Sequence, residues 1–271
     1  MSETLDNIIA VGITAAREAG AIQTEKFGGL LNVDAKMADD IKLEADRLCE
    51  KAIVDTIREA FPDHAILAEE SGRDEGRDYR WYVDPLDGTV NFYHAMPYFC
   101  TTLACYRFDP DLADDPEYMG TPLVGITYAP PTDELFVGVI GAGATLNERT
   151  VQVREESSLA DAFILTAFGN NAENIAFTRD FTLALSQRIR KTRSMGAAAY
   201  DLANVAAGRA SGMIEYGLNL WDIAAGRVLV EAAGGLFSAR LFSNGKWAIA
   251  ASGHAIHNDL LETLRQVPNP E

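Results

Sequence analysis

Two carboxylates fall within four residues in the stretch Trp81-Tyr82-Val83-Asp84-Pro85-Leu86-Asp87-Gly88-Thr89-Val90-Asn91-Phe92. Trp81, Tyr82 and Val83 are large, β-favouring residues, so the stretch reads as the end of a buried strand. Pro85 fixes its own φ and has no N–H to donate, so the strand is expected to stop there. A short helix or turn then starts from Gly88 and Thr89. A strand end that carries Asp84 and Asp87 can hold hard divalent cations through oxygen. The N–H groups of Gly88 and Thr89 can point at an anion. Metal with phosphate is the chemistry these residue types suit. Asp, Pro and Gly are also common turn residues, so this stretch alone leaves a plain strand-to-turn junction open. More carboxylates stand in matching settings. Glu69 and Glu70 close the short apolar run 65–68, and Asp222 opens a helical pattern over 221–233.

Asp84-Pro-Leu-Asp87-Gly-Thr89, with Trp81 before it and Asn91-Phe92 after it, closely resembles the central signature of the inositol monophosphatase family. That family comprises Mg²⁺-dependent, lithium-sensitive phosphomonoesterases. Trp221-Asp222-Ile-Ala-Ala-Gly226, continuing to Glu231-Ala-Ala-Gly234-Gly235, is similar to a second family motif, and Ala68-Glu69-Glu70-Ser71 resembles a third. The three follow the family's order at about its spacing, and the resemblance runs over nearly the whole chain.

The resemblance implies a site residue by residue. Glu69, Asp84, Asp87 and Asp222, with the Leu86 carbonyl, would bind two or three Mg²⁺, Asp84 bridging two, and Li⁺ would inhibit. Glu69 and Thr89 would orient a metal-activated water for in-line attack, and Asp46 would orient the threonine or the water. The N–H groups of Gly88 and Thr89 would hold phosphoryl oxygens. Glu215, seven residues before Asp222, would bind substrate hydroxyls together with Asp87, and Gly196 and Ala198 would border the substrate ring. Without the family, the small residues at 196–198 read rather as tight helix packing. Arg193 would brace a nearby acid. Lys36 matches a family lysine near the water and third-metal region, although its spacing to Asp40 is one residue short. Ile41-Lys42-Leu43 also departs from the family's threonine in this loop.

The implied substrate is myo-inositol 1-phosphate or a similar sugar-like monophosphate. Histidinol phosphate, fructose 1,6-bisphosphate, adenosine 3′,5′-bisphosphate and NADP are alternatives within the superfamily. A non-catalytic regulatory binding protein is the alternative of another class, since some relatives also act on the transcription machinery. The intact carboxylate set argues for an enzyme. The implied fold is mixed α/β, a layered αβαβα sandwich of the inositol monophosphatase and fructose-1,6-bisphosphatase type, and a homodimer is expected.

The elements that must position these residues follow from periodicity. Leu5, Ile8, Ile9, Ile13, Ala16 and Ala19 predict a helix over 3–27. A loop or hairpin over 32–40 leads to a second helix over 40–60, with Asp40, Glu44 and Asp46 near its start. Strands are expected at 65–68, 98–106, 123–129, 134–140, 163–166 and 212–216, the last carrying Glu215. Helices are expected at 174–189 and 197–208. Residues 108–120 form an acidic surface loop. Gly141-Ala-Gly143 is a tight strand connection that fits no P-loop or dinucleotide pattern. Residues 1–271 read as one domain, with the central motif in an N-terminal half, 1–150, and an α/β half from 151 onward.

A net charge of −17 over 271 residues repels nucleic-acid backbones and anionic membranes, so general binding to either is not expected. It repels a phosphate ester too, and a bound divalent cation would invert that locally. Cys49, Cys100 and Cys105 form no CxxC pair, which argues against a disulfide scaffold and a zinc site. With no signal-peptide pattern and no membrane-length apolar run, a reducing cytoplasm is the expected location. His64, His94, His254 and His257 are assigned structural or surface roles.

Overall fold

The first apolar stripe does form a helix. α1 (Leu5–Lys26) starts behind Thr4 and buries Ile8, Ala15, Ala16 and Ala19. The computed structural model describes residues 4–29, 33–36, 41–112, 115, 117–167, 175, 179 and 182–265. After α1 come the hairpin strands β1 (Val33–Lys36) and β2 (Ile41–Leu43), then α2 (Glu44–Ala60). The second helix therefore begins later than its expected start at 40, because 41–43 pair with β1 as strand. Leu43 is still extended, and its N–H donates to Asp46 Oδ2 at 2.7 Å, which sets the first turn.

Strands β3 (Ala65–Ala68), β4 (Gly72–Arg73), β5 (Tyr79–Asp87), β6 (Cys100–Arg107), β7 (Thr121–Ala129), β8 (Glu134–Val139), β9 (Gly143–Leu146) and β10 (Arg149–Val151) form one sheet. Its order is β10-β9-β8-β7-β6-β5-β3-β4, and only β3 and β5 run parallel. The short helix α3 (Thr89–Tyr93) follows β5. A second sheet joins β11 (Phe163–Leu165), β12 (Lys191–Arg193), β13 (Gly212–Leu218), β14 (Leu236–Leu241) and β15 (Trp247–Ser252) in the order β12-β11-β13-β15-β14. Helices α4 (Ala198–Ala206) and α5 (Leu220–Ala232) lie between the sheets, and α6 (His254–Arg265) covers the outer face of the second. With α1 and α2 on the outer face of the first sheet, the layers run αβαβα as the family resemblance implied.

Each layer boundary has its own apolar core. Ile53, Ile57, Trp81, Val83 and Leu103 lie between α1–α2 and the first sheet. Tyr82, Tyr106, Leu202, Val228 and Ile249 fill the space between the sheets. Ile164, Ile214, Ala250, Ile256 and Leu260 lie under α6. Most of the helix expected at 174–189 lies outside the described residues, although 182–186 are helical. Cys49, Cys100 and Cys105 are buried thiols outside any disulfide. His64 accepts from Trp81 Nε1 at 3.0 Å and stacks on Phe61, and His257 sits between Ser238 and Ser252, both in packing positions.

Candidate active site

Pro85 does not end its strand. β5 continues to Asp87, and the pairing with β6 jumps from Asp84↔Thr102 to Asp87↔Cys100. Pro85 and Leu86 together thus face the single residue Thr101, which is a β-bulge. The missing N–H of Pro85 costs nothing there, and its carbonyl accepts from Thr101 Oγ1 at 2.9 Å and Gln23 Nε2 at 2.8 Å. The bulge has a chemical consequence. Strict alternation would send residues 84 and 87 to opposite faces of the sheet, and one extra residue returns them to the same side. Asp84 and Asp87 accordingly feel each other's charge.

The other carboxylates arrive from separate elements. β3 runs parallel to β5 with Ala68 opposite Val83, so Glu69 leaves its strand beside Asp84, its N–H donating to Val83 O at 3.2 Å. Asp222 is the third residue of α5, not its cap; Asn219 caps the helix and its N–H donates to Asp222 Oδ2 at 2.7 Å. Asp84 interacts with Glu69, Asp87 and Asp222 together, so the four sequence-predicted carboxylates converge.

Asp87 is held from a different direction. Its Oδ1 accepts from Ala198 N at 3.1 Å, and its Oδ2 from Ala199 N at 2.8 Å and Tyr200 N at 3.2 Å. It thereby caps the N-terminal turn of α4, where backbone donors and the helix dipole favour an anion. Asp46, on α2, takes the Thr89 hydroxyl at 3.0 Å, and the same hydroxyl lies 2.9 Å from the Leu86 carbonyl. Gly88 supplies the turn into α3 at φ +89°, where a Cβ would meet Tyr98 O at 3.0 Å and the Ala197 Cβ at 3.1 Å. Asn91 Nδ2 donates to Met195 O at 2.8 Å and ties this turn to the segment that carries Gly196.

Burial dominates the electrostatics. It pushes Asp46 up to about 7, Asp87 to about 6 and Asp222 to about 8, in Asp222 with repulsion from Glu69 added and only partly offset by the Asn219 N–H and then Lys246. Asp84, 2% exposed, stands well above the carboxylate range by burial and then by Glu69, Asp87 and Asp222. Glu215 on β13 is buried beside Asp201, Asp87 and Asp222, and its Oε2 has no hydrogen-bond partner among the described residues. Among the described residues no three Asp, Glu, His or Cys side chains already close into a metal cage. The donors still fit a hard divalent cation. They are all oxygen, they converge from three backbone segments, and like charges buried together are stabilised by a shared cation.

Not every expected residue takes its expected place. Arg193 is exposed, donates to Thr192 O and lies 5.8 Å from the Phe163 ring centroid. At the end of edge strand β12 it makes no ion pair with an acid among the described residues. Ala198 contributes its backbone N–H to Asp87. Lys36 ends β1, while its side chain, Asp40 and the rest of 37–40 lie outside the described residues. Sequence reading missed Glu50, which binds the turn after Glu69, and the Tyr98–Asp201 hydrogen bond of 2.5 Å behind Asp87. The signal for Glu50 was its position four residues after Asp46, on the same face of α2. A cavity of about 600 Å³ lined by Asp78, Tyr79, Arg107, Phe108 and Tyr118 lies at the opposite end of β5; convergent carboxylates, not volume, locate the site.

The family model for the inositol monophosphatase family matches residues 4–268. The chain belongs to this family. It is therefore a phosphoric monoester hydrolase. The protein named Nus factor SuhB of Pseudomonas aeruginosa is 38% identical over 240 residues, covering 85% of this chain and 84% of its own. The inositol-1-monophosphatase of Synechocystis is 35% identical over 280 residues, covering 97% and 91%. The solved structure of inositol monophosphatase from Anabaena (Nostoc) superposes with a TM-score of 0.81 at 34% identity over 98% of both chains. Among its described residues the present chain has no helix long and apolar enough to cross a membrane.

Proposed function

We propose that the chain hydrolyses myo-inositol 1-phosphate or a similar polyol monophosphate with Mg²⁺. The observation that carries this is the β5 bulge, which brings Asp84 and Asp87 to one side beside Glu69 and Asp222. Glu69, Asp84, Asp87, Asp222 and the Leu86 carbonyl would hold two or three Mg²⁺. When bound, Mg²⁺ supplies positive charge that acidifies a water and steadies the leaving oxygen.

The chain's own groups do the rest. Glu69 and Thr89 orient the attacking water, and Asp46 fixes the Thr89 hydroxyl by accepting its hydrogen bond at 3.0 Å. The N–H groups of Gly88 and Thr89 meet phosphoryl oxygens as charge builds on them. The Glu215 carboxylate accepts from substrate hydroxyls, with the backbone at Gly196 and Ala198 beside the ring. Asp87, oriented by α4, lies between the cation side and the substrate side of the site. No side-chain nucleophile is required, so no phosphoenzyme forms.

Phosphate release from myo-inositol 1-phosphate, with and without Mg²⁺ and then with Li⁺, tests the reading. Mg²⁺-dependent, Li⁺-inhibited release is expected. Release that ignores Mg²⁺ would overturn the carboxylate assignment. No release from this ester, with release from histidinol phosphate, fructose 1,6-bisphosphate, adenosine 3′,5′-bisphosphate or NADP, would correct the substrate alone. A homodimer is part of the proposal, and light scattering reads it directly. The name of the Pseudomonas relative favours a second role, binding a protein partner. Partner capture with no turnover on any phosphate tried would make that role the main one.

A further inference from the structure

We propose that Glu50 is a positioning residue of the active site: it fixes the turn that carries Glu69 and so sets the affinity for the activating cation. The inference rests on the reading of Glu69 as a cation ligand.

α2 places Asp46 and Glu50 one turn apart, and both are buried, Glu50 at 5% exposure. The two carboxylates serve two different loops. Asp46 secures Thr89. Glu50 sends both oxygens to the turn after β3, where Glu70 N donates to its Oε2 at 2.7 Å and Ser71 N to its Oε1 at 2.9 Å. That turn is the three-residue loop of the β3–β4 hairpin, closed by the Ala68↔Gly72 pair. Glu69 is its first residue and is pinned to β5 through Val83 O. Its backbone is therefore gripped on one side by the sheet and on the other by α2.

A carboxylate accepting two backbone N–H groups is a stronger and more directional clamp than a neutral acceptor. A carboxylate clamp behind a ligand suits a turn that must hold that ligand against its like-charged neighbours.

The test compares wild type with Glu50→Ala, Glu50→Gln and Asp74→Asn. Asp74 is a control brace on the same hairpin: it accepts from Ile66 N at 2.5 Å and pairs with Arg58, away from Glu69. Each protein is titrated with Mg²⁺ by thermal shift from a chelated start, and kcat and KM are measured by phosphate release. Glu50→Ala is expected to raise the half-saturating Mg²⁺ concentration about 10-fold or more, read by both methods, and to lower kcat with little change in KM. Glu50→Gln, which keeps one acceptor oxygen, falls between Glu50→Ala and wild type. Asp74→Asn lowers the metal-free Tm and leaves the Mg²⁺ half-saturation unchanged.

If both Glu50 variants lose Tm as Asp74→Asn does while their Mg²⁺ half-saturation stays with wild type, Glu50 is a structural brace and the proposal fails alone. A wild-type chain whose Tm and turnover both ignore Mg²⁺ would overturn the parent reading together with this one.

Discussion

Asp87 shows how much one side chain can carry. Its two oxygens take three N–H groups from α4, so the residue proposed as a cation ligand also caps a helix of the central layer. Asp87→Asn keeps the shape and loses the charge and one acceptor. Turnover should fall by about 100-fold or more, since even outer partners of a metal site are worth up to that. Stability should fall by about 1–2 kcal/mol, the cost of a damaged N-cap. Urea unfolding beside phosphate release checks both, and near-normal turnover would sink the ligand assignment. Glu215 should behave in the opposite way. It is 8% exposed, with an Oε2 that has no hydrogen-bond partner among the described residues. Burial holds the Glu215 carboxyl well above its ordinary range, so folding at neutral pH must take up a proton there; Glu215→Gln removes that cost, and Tm should rise by about 2–4 °C per kcal/mol gained, while KM for a polyol phosphate rises. A lower Tm with unchanged KM would show that Glu215 serves packing and not substrate.

At the scale of elements, the site depends on one irregular strand and one tight helix pair. The β5 bulge decides that Asp84 and Asp87 share a side, and β3 running parallel to β5 brings Glu69 level with them. α4 and α5 then deliver the clasp on Asp87 and the Asp222 carboxylate from between the sheets. Their close approach depends on Gly226, where a Cβ would stand 2.2 Å from Leu202 Cδ1 and 2.5 Å from its Cβ. Gly226→Ala must push the two helices apart and should cost about 1–3 kcal/mol. Because both helices carry site groups, Mg²⁺ affinity should fall with stability in this variant. Unfolding and a Mg²⁺ titration read the two together, and a fully stable Gly226→Ala protein would contradict the packing argument.

At the scale of the molecule, burial of acids sets the pH response of the metal-free protein. Asp46 at about 7, Asp201 at about 7 and Asp222 at about 8 stand above their ordinary 3.8, chiefly through burial. A carboxyl whose folded pKa is raised binds its proton more tightly when folded. Its contribution to stability is complete below the unfolded value and is lost as pH rises through 7 and 8. The Tm of the chelated protein should therefore rise as pH falls from about 8.5 to about 6.5, helped by relief of self-repulsion among its acids. Below that range His257, whose burial lowers its pKa from 6.5, works in the other direction. Mg²⁺ should flatten the trend by taking the place of those protons, and a chelated Tm that falls over this range would contradict the burial argument.

Three motifs, around Glu69, Asp84–Asp87 and Asp222, resemble those of one family and pointed to it and to its layered α/β fold, while apolar periodicity reports which face of each element is buried. Helix α1 and strand β3 lie where periodicity puts them. Other features belong to the tertiary structure alone. Pro85 reads locally as a strand end, and only pairing with β6 turns it into a bulge. Residues 41–43 read as the start of a helix, and only the hairpin partner β1 makes them strand. Asp222 reads as the opening of its helix, and only the structure shows Asn219 as the cap and Asp222 inside the first turn. The clasp of α4 on Asp87 and of Glu50 on the Glu69 turn joins residues 111 and 20 positions apart. Such bonds leave no periodic trace in the chain, because they depend on where folding places a backbone N–H and not on the side chain that carries it.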